Sequence, residues 1–242
     1  MLRETAPMAS MGDFFRINCI LCTAPAVRKG FYMRIITISR QFGSGGRELG
    51  ERLARALGFD YYDKEIIQML TERHDLDEEF VREVLSGHGW DQVQLNYRTT
   101  FSQPLVNPTF HTSVLRRQSQ IIREIAEAGH DCVIVGRDAD VLLQEYAPFR
   151  LQICADMESR LARCMKYEER KEPSERLSER AILRNIRRID KNRMRTREIL
   201  TGRSLGDSSG FDLSVNASGR DLKKLAAALA DFSIHWFEDR TE

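Results

Sequence analysis

Between Ser39 and Glu48 the chain reads Ser-Arg-Gln-Phe-Gly-Ser-Gly-Gly-Arg-Glu, three glycines and two arginines in ten residues. Glycines in such a turn let successive backbone N–H groups converge on an anion, and a helix that starts there adds about half a unit of positive charge at its N-terminus. The chemistry this suits is the binding of phosphate. The usual formula for a phosphate loop is Gly, four residues, Gly, Lys, then Ser or Thr. Gly43 and Gly45 fit its second half, but Gly46 stands at the usual lysine and no hydroxyl follows in register, so Arg40 or Arg47 is the candidate cation. Arg40, Gly43, Ser44, Gly45, Gly46 and Arg47 form the candidate phosphate-binding set. The plainer alternative is a glycine-rich turn between a strand and a helix with no ligand at all.

Three other groups carry candidate chemistry. Arg137 and Asp138 follow the apolar run Cys132-Val133-Ile134-Val135, at the C-terminal end of a strand, where α/β sheets bind ligands. Their alternative reading is an Asp cap on the next helix beside a solvated Arg. Asp63 follows a second short strand and is either a site residue or a helix cap. The block 163–197 is dense in arginine and lysine; most of it reads as a solvated helix face with i, i+4 partners. Within it Arg193, oriented by Asp190, is the candidate to meet a transferring group, with the break near Pro173 as the tip of a lid. Gln118 faces no clear apolar stripe and is left unassigned.

The elements that must position these groups alternate. Arg34–Ser39 is a β-branched run apolar on both faces, as a buried parallel strand is. Leu49, Leu53, Ala56 and Leu57 recur at helical spacing, and Gly58 stops that helix. A short strand, Phe59–Tyr62, and helical patterns over 63–74 and 75–87 follow. Residues 87–108 break into Gly, Asn, Gln and Pro and read as a long loop over a binding face. A helix over 112–129, strands at 132–135, 149–154 and 211–215, helical patterns over 157–200 and a closing helix over 220–238 complete the alternation. Strand and helix in turn imply an α/β fold with a parallel sheet and helices on both faces.

On these residues the chain resembles the cytidylate kinase-like family. Ile36–Asp63, ITISRQFGSGGRELGERLARALGFDYYD, resembles the family's opening. Val133–Asp138 resembles its Gly-Arg-Asp strand end, Asp190–Arg193 its Asp-x-x-Arg element, and Gly206-Asp207 with Phe211–Leu213 and Asn216 its last strand. The resemblance runs over about residues 34–230. It implies a P-loop kinase-type sheet with a helical acceptor-binding insertion over about 63–129 and a charged helical lid over about 163–197. It implies transfer of the γ-phosphate of ATP, with Mg2+, to a pyrimidine monophosphate such as CMP or dCMP. Arg47, Arg193 and Asp190 would serve catalysis, and Arg137, Asp138 and Asp63 would hold the acceptor. The branch itself carries this altered loop. The alternative on the same fold is a regulatory protein that binds nucleotide and transfers nothing.

Bulk properties narrow the partners. Lys plus Arg number 37 against 36 Asp plus Glu, so no global field draws nucleic acid or an anionic membrane, and any anion site is local. No apolar run is long enough to span a bilayer. The expectation is a cytoplasmic protein of one domain over 33–240, its nucleotide substrates the only implied partners and its oligomeric state open. Residues 1–32 read as a disordered extension, with Met33 as a natural beginning, because Glu4 and Asp13 make a poor secretory n-region. The five cysteines read as reduced thiols, and Cys19 and Cys22 lack a matching second pair of zinc ligands, so no metal site is expected of the chain itself.

Overall fold

The computed structural model describes residues 33–63, 65–74, 108–201 and 210–238. The extension over 1–32, the helical pattern over 75–87, the long loop and Gly206-Asp207 lie outside them, as do Cys19 and Cys22. Five strands, β1 (Ile35–Arg40), β2 (Asp60–Tyr62), β3 (Cys132–Val135), β4 (Phe149–Cys154) and β5 (Leu213–Asn216), pair in the order β2-β3-β1-β4-β5. Every pairing is parallel, with Ile36 opposite Val133 on one side and Phe149 on the other. The described helices are α1 (Gly46–Leu57), α2 (Glu65–His74), α3 (Pro108–Glu127), α4 (Ala139–Leu142), α5 (Met157–Glu168), α6 (Glu179–Thr201) and α7 (Leu222–Glu238).

Side chains alternate across β1 and feed two cores. Ile36 and Ile38 join Val133, Val135, Phe149, Leu151 and Ile153 under α1 and α7, while Ile35 joins Ile134, Ile66, Ile121 and Ile122 under α2 and α3. A strand covered on both faces must be apolar on both, which is why β1 and β3 show no polar alternation. Helix α1 lies close on the sheet because Gly50 has no side chain. A Cβ there would stand 2.8 Å from Val135 Cγ2 and 3.0 Å from Ile38 Cδ1.

The departures from the sequence reading are local. Helix α3 begins at Pro108 rather than 112: proline at the first helical position loses no bond and has its φ already set. Strand β5 runs two residues later than 211, because Asp212 is spent on Arg150, whose guanidinium it holds through both oxygens at 2.7 and 3.1 Å. The four-residue α4 was not anticipated. Gln118 is buried, with its Oε1 finding no partner among the described residues, so it faces inward and not to solvent.

Candidate functional site

The glycine turn joins the C-terminal end of β1 to the N-terminus of α1. Gly43 and Gly45 take φ of +76° and +86°, values that favour glycine, and Gly45 is the residue before the helix. Three amides of the turn are engaged. Gln41 N–H donates to Ile153 O at 3.1 Å, Phe42 N–H to Asp190 Oδ1 at 2.7 Å and Ser44 N–H to Gln41 O at 3.4 Å. The amides of Gly43, Gly45, Gly46, Arg47 and Glu48 have no hydrogen-bond partner among the described residues. The turn is therefore shaped from outside by fixed contacts and keeps a set of N–H groups at the start of a helix, the arrangement that binds anions. Ser44 contributes shape: its hydroxyl donates to Gln41 O at 2.9 Å and is fully buried.

Around this turn, residues from four elements bring arginines together. Arg40 ends β1 and reaches Asp63 Oδ1 at 3.4 Å; Arg47, in the first turn of α1 and more than half exposed, pairs with Asp63 Oδ2. Asp63 is 2% exposed and so is a site carboxylate rather than a helix cap; its own N–H is capped instead by Glu65 Oε2 at 2.9 Å. Arg137 and Arg193 complete the group. Burial first, then the nearby Arg40 charge, pulls Arg137 down to about 10 and Arg193 down to about 9. Burial also lowers Arg40, against the pull of Asp63. All remain cationic at neutral pH. Arg137 Nε is buried without a partner among the described residues. Four arginines thus face one carboxylate, Asp63.

A second cluster stands at the same edge. Arg197, on α6, grips Asp140 through both oxygens at 3.0 and 2.6 Å and approaches Asp138 at 3.5 Å; Ser39 Oγ donates to Asp140 at 3.3 Å. Arg197 and Asp140 are each 3% exposed in their side chains. Asp138 precedes α4 but makes no capping bond, and burial with the Asp140 charge raises it to about 6 despite Arg197. Gly136, Arg137 and Asp138 all have positive φ, and a non-glycine pays for that conformation, of order 1 kcal/mol or more. The two side chains are thereby turned to the sheet's C-terminal edge and not into a cap.

The expected pairing of Asp190 with Arg193 needs correction. Their closest atoms are 3.9 Å apart, beyond hydrogen-bonding distance. Asp190 holds instead the Phe42 N–H and the guanidinium of Arg160, whose Nε donates to Phe42 O at 2.7 Å. Arg193 is placed by Arg40 O, at 3.1 Å, and by the Phe42 ring, 5.8 Å from its guanidinium carbon. Arg163 likewise turns inward, donating to Ser44 O at 3.2 Å and to Ala217 O. Arg160, Arg163, Arg197 and Asp140 were missed or read as solvated. The spacing of Asp190, Arg193 and Arg197, three and four apart on one face of α6, was the available signal.

A resident metal finds no cage here: among the described residues no three His, Cys, Asp or Glu side chains stand together. Magnesium fits as an ion carried on phosphate oxygens, with Asp138 the carboxylate that is not doubly bonded. No described helix is long and apolar enough to cross a membrane.

Known proteins bear on this geometry. No curated protein gave a match. Among solved structures, an uncharacterized protein from Eubacterium ventriosum ATCC 27560 is similar at 21% identity with a TM-score of 0.59, covering 83% of this chain and 98% of its own. Shikimate kinase from Bacteroides thetaiotaomicron is similar at 13% identity with a TM-score of 0.50, again covering 83% and 98%. These likenesses agree with the parallel sheet of a P-loop-type kinase fold. The model of the cytidylate kinase-like family matches residues 35–219, from the first residue of β1 past the last strand, and the chain belongs to that family.

Proposed function

We propose that the protein is an ATP-dependent kinase of nucleoside monophosphates, with CMP or dCMP as the acceptor. The observation that carries this reading is the set of four arginines, Arg40, Arg47, Arg137 and Arg193, held around the single carboxylate Asp63 beside a turn with free amides. Buried like charges repel, and an arrangement that keeps them is at rest only when anions enter it. A triphosphate and a monophosphate supply those anions.

In the transfer, an oxygen of the acceptor phosphate forms a bond to the γ-phosphorus of ATP while the bond to the β–γ bridging oxygen breaks, leaving ADP and a diphosphate. The acceptor is already ionised at neutral pH, so no base is needed, which suits a site whose buried Asp63 is taken up by arginines. Arg137 offers paired N–H donors to the acceptor phosphate. Arg193 and Arg47 neutralise charge that spreads over the transferring group. Magnesium, when bound, bridges phosphate oxygens and draws charge from them. Asp190 and Arg160 shape the turn by gripping both polar groups of the Phe42 backbone.

The loop's lack of a lysine and a hydroxyl favours a second reading, a protein that binds nucleotide without transfer. A coupled assay with ATP, Mg2+ and each monophosphate in turn separates the two. Diphosphate formed from CMP or dCMP in preference to the others supports the kinase. ATP binding with no diphosphate from any acceptor rejects it in favour of the second.

A further inference from the structure

The glycine turn departs from the usual formula in a reciprocal way. With Gly45 as the second glycine, the first glycine of the formula falls on Arg40 and the lysine on Gly46. A glycine and a basic residue have exchanged places. We propose that Arg40 supplies, from the first position of the loop, the phosphate-binding cation that the formula supplies from the seventh. This rests on the reading of the turn as a nucleotide-phosphate site and deepens it.

The exchange has a steric cause. A Cβ on Gly46 would lie 2.8 Å from Arg40 Cβ and 3.2 Å from Arg40 Cδ, closer than carbon atoms approach. The two positions compete for one volume, so a side chain on one requires glycine on the other. The stem of Arg40 runs through that volume, and its tip lies against Gly136, where a methyl group would overlap Nη1. The guanidinium therefore arrives at the C-terminal ends of β2 and β3, beside Asp63, with its side chain 12% exposed. Arg47 cannot take this place. Its side chain is 57% exposed and its Nε is paired with the outer oxygen of the same aspartate. Two glycines at separate points in the sequence, Gly46 and Gly136, thus clear the path of one side chain, and Arg193 fixes its backbone through Arg40 O.

Relocating the charge tests this. Arg40→Met keeps the stem and removes the charge; ATP affinity, measured by calorimetry, falls roughly 10- to 100-fold with the melting temperature little changed. Gly46→Lys alone clashes with the Arg40 stem and loses both stability and ATP affinity. The pair Arg40→Gly with Gly46→Lys moves the cation to the conventional position and recovers ATP affinity to within about tenfold of the parent. Arg40→Gly with Gly46→Met fills the volume without charge and stays as weak as Arg40→Met. Recovery by the lysine pair but not the methionine pair is the expected result, and a merely structural role for Arg40 does not produce it. Equal recovery by both pairs, or an Arg40→Met variant that binds ATP like the parent, overturns the inference while leaving the nucleotide site standing. A parent protein that binds no ATP overturns both. Where the double variants do not fold, Arg40→Met decides alone.

Discussion

Two aspartates at the same edge of the sheet, Asp140 and Asp63, are buried to the same degree and surrounded in opposite ways. Asp140 has one arginine, Arg197, bonded through both oxygens, and a hydroxyl from Ser39. Its charge is matched. Asp63 faces Arg40 and Arg47, with Arg137 and Arg193 close enough to feel its charge. Its surroundings carry an excess of cations. Counted across both clusters with the Arg160–Asp190 pair, six arginines stand against four aspartates. The contrast teaches that arginines at one sheet edge are not of one kind: a matched pair holds the fold together, and an unmatched set waits for an anion.

Substitutions on the two sides should therefore behave differently. The largest effect is expected from Arg137→Ala, which removes a donor from the unmatched set: kcat/KM for the monophosphate falls roughly 100-fold or more while the KM for ATP stays within about threefold. Equal losses for both substrates count against Arg137 as an acceptor residue. Next is Asp140→Ala, which leaves Arg197 buried without its partner and lowers stability by about 3–5 kcal/mol in denaturant titration, a loss that added phosphate does not recover. Asp63→Asn is milder, costing about 2 kcal/mol in phosphate-free buffer, and here inorganic phosphate or ATP restores much of the loss, because ligand binding to the folded state adds to its stability. Similar responses of these two variants to phosphate erase the distinction between the clusters.

The smallest effect concerns pH. Asp138 is held at about 6 in the fold against an ordinary 3.8, so between those values the folded state binds more protons than the unfolded chain. Stability then falls as pH rises from about 4 to 6, and Asp138→Asn, which cannot ionise, flattens that part of the profile. Melting temperatures across pH 4–7 measure it. An unchanged slope in the variant assigns the dependence to another group.

Much of this architecture was legible beforehand, for physical reasons. Strands buried on both faces leave an unmistakable β-branched run, as in Ile35–Ile38 and Cys132–Val135, and glycines that must take positive φ, as Gly45 and Gly58 do, mark the ends of helices. The turn, Arg40, Arg137 and Asp138 could be found because they lie beside such strands. Arg160, Arg197 and Asp140 could not be found in that way. They sit in charged helical stretches where local sequence reads as solvated, and only the folding of α5 and α6 against the sheet edge turns them inward. The role of Asp190 was misassigned for a similar cause: its neighbour at i+3 looked like its partner, whereas a backbone amide 148 residues away holds it. Helix spacing reports which residues share a face, not what that face meets.

The central claim is that the unmatched arginines bind the phosphate of a nucleotide. Calorimetric titration of CMP and of cytidine into the same protein tests it most directly, since the two ligands differ by that phosphate alone. The account predicts that CMP binds at least about 100-fold more tightly, and that Arg137→Ala removes most of the difference. Equal affinities for CMP and cytidine, or a preference that survives Arg137→Ala intact, would contradict it.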